Sequence, residues 1–247
     1  MHAFWKLAIY QTKLYLREPM NVFFTLLFGP VLLLLIGFIF GNGPQALFGG
    51  YGQMDISTSS IAAIVIGIVA FTAVPISVST RRDMGVLRRF SATPLKPLTY
   101  FFADVLVPFV LTLVGVLLTL LVGKLAFNVQ MYGNWLNLII GIILSILAFF
   151  AMGFAMAGIL PNARTTIIVG NVIIIPMNFF SGAFVPFEVM PAAVVKVSRF
   201  IPLTHVVTLF RGLWFGDGFG DHLLEVAVLI GILLVGIVII ALTFRWE

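Results

Sequence analysis

Six long stretches of the chain contain no Asp, Glu, Lys or Arg, and each is long enough to cross a lipid bilayer. They are residues 19–54, 56–80, 105–123, 125–163, 165–187 and 226–244. A spanning helix needs about 20 mostly apolar residues, because the hydrocarbon core of a bilayer is about 30 Å thick. With 61% hydrophobic and 9% charged residues, a soluble domain would have more apolar surface than it can bury. The sequence therefore predicts a membrane protein with several spans.

Turn-forming residues limit these stretches to one crossing each. The first is interrupted by Gly41-Asn42-Gly43-Pro44, and the fourth contains a polar turn between Asn128 and Asn137. The predicted spans are residues 21–40, 58–80, 101–123, 136–159, 165–185 and 223–243. The expected fold class is an all-α polytopic membrane protein with six transmembrane helices.

Basic residues are distributed unequally between the two sides of these spans. With the N-terminus inside, ten Lys and Arg lie on the cytoplasmic side, and Lys124, Lys196, Arg199 and Arg211 lie outside. Because Lys and Arg are retained on the cytoplasmic side, both termini are predicted to be cytoplasmic. Anionic lipid would attract this inner excess. The net charge of +5 therefore indicates membrane lipid as a partner and does not require nucleic acid.

Residues 1–19 have the pattern of a basic amphipathic helix. One face carries Lys6, Tyr10, Lys13 and Arg17, and another carries Trp5, Ile9, Thr12 and Leu16. Such a helix lies in the plane of the membrane interface. Pro19 would end or bend it before the first span. The alternative is a plain extension of the first span whose lysines reach toward the interface.

Residues 81–98, after the second span, combine arginines with an apolar ridge. Val86, Leu87 and Phe90 fall at helical spacing, and Thr93-Pro94 would close the helix. Retention of positive charge on the inner side explains the arginines. It does not explain the ridge, so a cytoplasmic helix that docks a partner is predicted.

Residues 186–221, between the last two spans, are predicted to form short re-entrant helices on the outer side. The segment is too apolar for a solvated loop, yet Pro186, Pro191 and Pro202 exclude a continuous span. Short helices packed against protein satisfy both constraints.

An intramembrane serine hydrolase is one alternative function, with His205 acting as a base for Ser181. No third group that would orient the histidine is evident in the sequence. We therefore expect His205 to bond backbone carbonyls of the re-entrant turn, and we assign no catalytic residue.

An ion-coupled carrier is a second alternative. Coupling to protons or sodium usually needs ionisable groups at membrane depth. None of the predicted spans has one near its centre, since Asp104 and Glu225 lie at span ends. The sequence thus favours another mode of transport. The chain has no cysteine, which excludes disulfides and thiolate metal sites. No metal site is predicted.

Two motifs resemble those of ABC-2-type exporter permeases. The first starts at Gly85 and reads Gly-x-Leu-x-Arg-hydrophobic-x-x-Thr-Pro, like the cytoplasmic coupling segment of that family. In the second, a Pro-hydrophobic-x-His element ending at His205 precedes Arg211 by the family's spacing, after Phe180-Ser181-Gly182. One departure is Arg88-Arg89, where many members carry an acid beside the basic position.

The resemblance implies one domain over residues 1–247, which forms a homo- or heterodimer of permease protomers on two separate ABC ATPase subunits. The chain lacks Gly-x4-Gly-Lys-Ser/Thr, so ATP and Mg²⁺ would bind the partner and no cofactor would bind this chain. The residues expected to dock the ATPase are Arg81, Arg82, Gly85, Leu87, Arg88, Phe90, Thr93 and Pro94. The residues expected to line a pathway between spans two and five are Phe71, Thr72, Asn171, Asn178 and Phe179. The residues expected to cap its outer end are Ser181, Gly182, Pro202, His205 and Arg211.

The absence of charge among the pathway candidates indicates a hydrophobic or amphipathic substrate, such as a drug, an antibiotic or a lipid-like compound. Ala92-Thr93-Pro94-Leu95 resembles the drug-resistance branch of the family. The resemblance implies export from a bacterial cytoplasmic membrane. The alternative substrate is a polysaccharide or lipid-linked glycan.

Overall fold

The computed structural model describes residues 2–44, 48–85 and 97–243, and the described residues form nine α-helices without a β-strand. They are α1 (His2–Arg17), α2 (Pro19–Phe40), α3 (Gln53–Asp83), α4 (Pro97–Phe127), α5 (Trp135–Ile159), α6 (Ala163–Phe180), α7 (Ala192–Ser198), α8 (Pro202–Phe215) and α9 (Leu223–Thr243). Short 3-10 turns, Phe187–Val189 and Phe219–His222, precede α7 and α9.

Six of these helices, α2 to α6 and α9, are long and apolar enough to cross a membrane. All six predicted spans are therefore present, and the predicted fold class is confirmed. The chain is a multi-pass membrane protein. The coupling helix predicted within residues 81–98 lies mainly outside the described residues, because residues 86–96 are not among them.

Two spans have ends that differ from the prediction. α3 begins at Gln53 rather than at residue 58, because the carboxylate of Asp55 is satisfied inside the fold. It accepts the backbone N–H groups of Gly52 at 3.0 Å and Gln130 at 3.3 Å. α6 ends at Phe180 rather than at residue 185, because the backbone turns at Gly182, whose φ of +84° favours glycine.

α3 lies at the centre of the bundle. Every residue from Met54 to Gly67 is buried. Around it pack α2, α4, α5, α6 and α8. Inside a membrane this packing is held by dispersion contacts and close approach rather than by a hydrophobic driving force.

A π-helical turn, Val69–Ala73, interrupts α3 just after its midpoint. Pro75 has no N–H to give to the carbonyl of Phe71, which explains the local change of hydrogen bonding. Two neighbouring helices pack closely on carbonyl groups of this turn at glycine residues, which have no side chain in the way. A Cβ on Gly153 of α5 would lie 2.1 Å from the Ala70 oxygen, and one on Gly170 of α6 would lie 2.2 Å from the Phe71 oxygen.

α1 is a separate helix, because Glu18 adopts an extended conformation between it and α2. The alternative of a plain extension of the first span was therefore wrong. The face of α1 that packs on α4 carries Leu7, Ala8, Gln11 and Tyr15. Trp5, Ile9 and Leu16 of one face identified from the sequence are exposed, as are Tyr10 and Lys13 of the other, and placement of α1 in the membrane interface stays a prediction.

The segment between the last two spans contains the short helices predicted there. α7 and α8 meet at a bend of 100°. α8 starts with Pro202, and proline is tolerated at this position because the first N–H of a helix has no partner within the helix. It is buried against α3, α5 and α9, and the Leu203 side chain lies beside Gly67, halfway along α3. The start of α8 thus lies deep within the bundle.

Candidate functional site

The C-terminal end of α3 carries three consecutive charged residues, Arg81, Arg82 and Asp83, a short distance before residues 86–96. The first, Arg81, forms an ion pair of 2.5 Å with Asp104 of α4. It also donates to the backbone carbonyl and the hydroxyl of Ser77, at 3.2 and 2.8 Å. The amide of Gln11 in α1 donates to the same Asp104 carboxylate at 3.4 Å. One polar cluster therefore joins α1, α3 and α4.

The next two residues bind the ends of two further helices. Arg82 donates to the carbonyls of Ala157 at 2.8 Å and Leu160 at 2.5 Å, at the end of α5. Asp83 accepts the backbone N–H of Ala163, the first residue of α6, at 2.8 Å. Helix ends leave such backbone groups without partners inside the helix. These two side chains supply those partners.

The structure directs Arg81 and Arg82 toward other helices of the chain, whereas the resemblance implied that both dock the ATPase. Gly85 follows α3 with a φ of +66° and turns the backbone away from the helix. The other predicted docking residues, Leu87, Arg88, Phe90, Thr93 and Pro94, lie outside the described residues. The docking role of the whole set stays a prediction.

Sequence reasoning missed Asp83, Asp104 and Gln11 at this site. The signal available for Asp104 was its position as an acid at the start of a long charge-free stretch. For Asp83 it was an acid directly after two arginines. Neither pattern shows which helix the side chain would reach, so these contacts could be identified only from the structure.

A cavity of about 430 Å³ opens beside this cluster, between α1, α3 and α4. Most of its lining is apolar, with Leu14, Val107 and Phe154 among the side chains. Gln11 and Asp104 supply polar groups to the same cavity. A mainly apolar cavity with a few polar groups suits an amphipathic molecule.

The pathway candidates on α3 are held by contacts within the protein. Phe71 is buried and meets Phe149 edge-to-face at 6.1 Å. The Thr72 hydroxyl donates to the Ile68 carbonyl at 2.7 Å. Phe71 also lines an apolar groove of about 480 Å³ with residues of α5, α6 and α9. In this chain, Phe71 therefore contacts neighbouring helices rather than an open channel.

The candidates on α6 divide between its two faces. Asn171 and Phe179 are exposed, eight residues apart on one side of the helix. The Asn171 amide donates to the Ile167 carbonyl at 2.9 Å. Asn178 is buried, and its side-chain oxygen accepts no hydrogen bond from a described residue. The structure thus does not bring all five pathway candidates to one surface.

The predicted outer residues lie in two places: Ser181 and Gly182 in the turn after α6, and Pro202, His205 and Arg211 in α8. Ser181 is buried, with its hydroxyl 3.5 Å from the Asn178 carbonyl, and the ring of Phe187 covers Gly182. His205 Nε2 lies 3.0 Å from the Arg199 carbonyl, which is the type of bond expected for a structural role. No hydrogen bond joins Ser181 to His205 in the described chain. The geometry gives no support to the hydrolase alternative.

Arg211 of α8 pairs with Glu188 in the preceding 3-10 turn. One of its two hydrogen bonds measures 3.3 Å, between Arg211 Nη1 and Glu188 Oε2. Burial raises the pKa of Glu188, but the hydrogen bonds and charge of Arg211 outweigh it and hold that pKa below its ordinary value. Sequence reasoning missed Glu188, although it is the sole acid between Asp104 and Asp217.

Comparison with known proteins identifies the family. The ABC-2 type transporter family model matches residues 2–215. Nodulation protein J of Rhizobium leguminosarum bv. viciae is 31% identical over 101 residues, 40% of this chain and 39% of that protein. Nodulation protein J of Rhizobium meliloti (strain 1021) is 30% identical over 89 residues, 35% of this chain and 34% of that protein. The chain thus aligns with less than half the length of these curated relatives. Because the family match covers most of the chain, the protein belongs to the ABC-2 type transporter family.

Proposed function

We propose that this chain is the permease subunit of an ATP-driven exporter. The observation that carries the proposal is the attachment of the cytoplasmic end of α3 to α1, α4, α5 and α6. Residues 86–96, which have the pattern of a docking helix, follow this end directly. A force applied to residues 86–96 would be transmitted to most of the bundle through the end of α3, which is bonded to these helices.

The ATPase in this proposal is a separate chain, which holds ATP and Mg²⁺. The sequence contains no Gly-x4-Gly-Lys-Ser/Thr loop to cradle the phosphates. Leu87 and Phe90 would be buried anchors in the ATPase, with Arg88 and Arg89 at the rim. The excess of inner basic residues supports a bacterial cytoplasmic membrane protein with both termini inside.

A second permease protomer completes the proposed transporter. α6 has one face exposed in the single chain, with Asn171, Val172 and Phe179 along it. An exposed amide is unfavourable against lipid and fits a protein contact or a substrate pathway better. We therefore place this face at the junction of two protomers.

The proposed substrate is a hydrophobic or amphipathic compound. The pathway candidates carry no formal charge. The cavity beside Gln11 and Asp104 has the size and the mixed lining that such a compound needs. Its position at the cytoplasmic end suits uptake from the inner half of the membrane.

Purification of the tagged chain from its native host, in mild detergent, tests the proposal. A soluble chain with a phosphate-binding loop should co-purify in stoichiometric amount. Leu87→Asp should remove that chain without loss of membrane insertion, because it places a charge in the apolar ridge. Leu242→Asp, at an exposed position near the end of α9, is the control with the same chemical change. A stable permease preparation without any ATPase would contradict the proposed function.

A further inference from the structure

We propose that Arg82 and Asp83 form a clasp that transmits movement of residues 86–96 to α5 and α6. The two residues act as positioning residues, and they hold the turn between α5 and α6 against the end of α3. This inference rests on the proposed function, because it requires an ATPase that moves the docking segment.

The first half of the clasp is the bond from Arg82 to α5. Its guanidinium donates to two carbonyls, those of Ala157 and Leu160, near the end of the helix. The carbonyl end of a helix carries partial negative charge. A planar cation with several donors matches two such carbonyls at once, which a lysine could not do with the same geometry.

The second half is the bond from Asp83 to α6. Its carboxylate accepts the Ala163 N–H at the amino end of the helix, where the partial charge is positive. Adjacent residues of opposite charge therefore bind helix ends of opposite polarity. If the two residues were exchanged, each side chain would face a helix end whose partial charge has the same sign as its own. The order Arg-Asp therefore suits this arrangement specifically.

A third contact fixes α6 one turn deeper. The hydroxyls of Ser79 in α3 and Thr166 in α6 lie 3.0 Å apart and are both buried. Together with the Asp83 bond, this hydroxyl contact attaches the first turn of α6 to α3 at two points. A helix held in this way follows a tilt of its neighbour. α6 carries Asn171 and Phe179, so the clasp connects the docking segment to the proposed pathway.

Arg81, the third charged residue at this end of α3, makes its contacts with other helices. Arg81 binds Asp104 of α4, and Asp104 binds Gln11 of α1. Disruption of Arg82 or Asp83 therefore leaves the bonds of Arg81 to α4 in place. The two branches are separable by mutation, and loss of the Asp83 bond should uncouple α6 without releasing the ATPase.

A distance measurement between α4 and α6 tests the clasp. The chain has no cysteine, so spin labels attach only where cysteine is introduced. Leu121→Cys and Ile168→Cys place labels on exposed positions of α4 and α6. Double electron–electron resonance would be recorded on the complex with its co-purified ATPase, before and after trapping with Mg-ATP and vanadate.

We expect trapping to shift the α4 to α6 distance in the otherwise unaltered chain. Asp83→Ala should abolish the shift while the ATPase stays bound and is still trapped, and Arg82→Gln should abolish it in those complexes that retain the ATPase. Arg82→Lys should retain part of it because lysine keeps the positive charge and a long side chain, and Asp83→Asn should retain part of it because the amide oxygen still accepts a hydrogen bond. Arg164→Gln is the matched control, since Arg164 is an exposed cation next to Ala163.

The outcomes separate the clasp from the proposed function. A shift that persists in Arg82→Gln and Asp83→Ala would overturn the clasp alone. Loss of the shift in Arg164→Gln as well would also overturn the clasp, because removal of any positive charge in this region would then have the same result as removal of the Arg82 and Asp83 hydrogen bonds. Absence of any shift in the unaltered complex, with its ATPase bound and trapped, would also overturn the clasp alone, whereas a permease preparation that binds no ATPase would overturn the proposed function.

Discussion

At the scale of single residues, the fold depends on backbone groups that meet an exact partner from another helix. The Phe71 carbonyl is exposed by Pro75, and Gly170 of α6 lets its helix pack directly on that oxygen. The Asp55 carboxylate and the Arg82 guanidinium likewise bind backbone groups of other segments. Such contacts explain why individual positions matter in a chain whose composition is mostly interchangeable apolar residues.

Gly170→Ala should destabilise the protein, because its Cβ would lie 2.2 Å from the Phe71 oxygen. Overpacking of this kind costs about 1–3 kcal/mol. The measurement is the thermal unfolding midpoint of the purified chain in detergent. Gly231→Ala in α9 is the control, because nothing lies within 4 Å of the added Cβ. Equal midpoints for the two variants would show that the contact is not as close as described.

The Arg211 and Glu188 pair gives a pH dependence at the same scale. Arg211 holds the pKa of Glu188 below its ordinary value of 4.5. The pair should therefore stabilise the fold at all pH above that value, and its contribution should disappear as the pH falls through the lowered pKa. We expect the difference in unfolding midpoint between the unaltered chain and Glu188→Gln to shrink on acidification. A difference that grows on acidification would contradict this sign.

At the scale of elements, the sequence predicted which segments cross the membrane better than it predicted where they end. Charge-free length identified all six spans. It placed the start of α3 too late, because Asp55 counted as a charge that ends a span, and its partners on Gly52 and Gln130 are not visible in the sequence. For α1 the helix was predicted, but the side that packs on α4 was not, since two other faces were the more regular ones.

Asp55→Ala should loosen the C-terminal ends of α2 and α4 and the N-terminal end of α3 together. The Asp55 carboxylate accepts bonds from Asn42, Gly52 and Gln130, which lie near those ends. Hydrogen bonds to a charged group contribute about 1.5–3 kcal/mol each, so unfolding should occur at clearly lower temperature. Asp221→Ala is the control, because Asp221 is exposed and bonds the single N–H of Gly218. A smaller effect at Asp55 than at Asp221 would contradict the account.

At the scale of the whole molecule, six spans form a bundle that is fastened at the C-terminal end of α3, the helix that leads into the proposed docking segment. The sequence indicated the family, the spans and the docking segment. It did not show that Arg81 and Arg82 bind inward, because a basic residue near a membrane edge has the same pattern whether it faces a partner or a helix end. The substrate pathway was predicted from resemblance, and the single chain brings its candidates only partly together.

ATP-driven transport by the assembled complex is the central claim, and uptake into inside-out membrane vesicles tests it most directly. The probe is a fluorescent dodecylamine, and ionophores collapse the ion gradients. We predict that vesicles with this chain and its ATPase accumulate the probe when Mg-ATP is supplied and that vanadate stops the uptake. Accumulation that requires an ion gradient and proceeds without ATP would contradict the account.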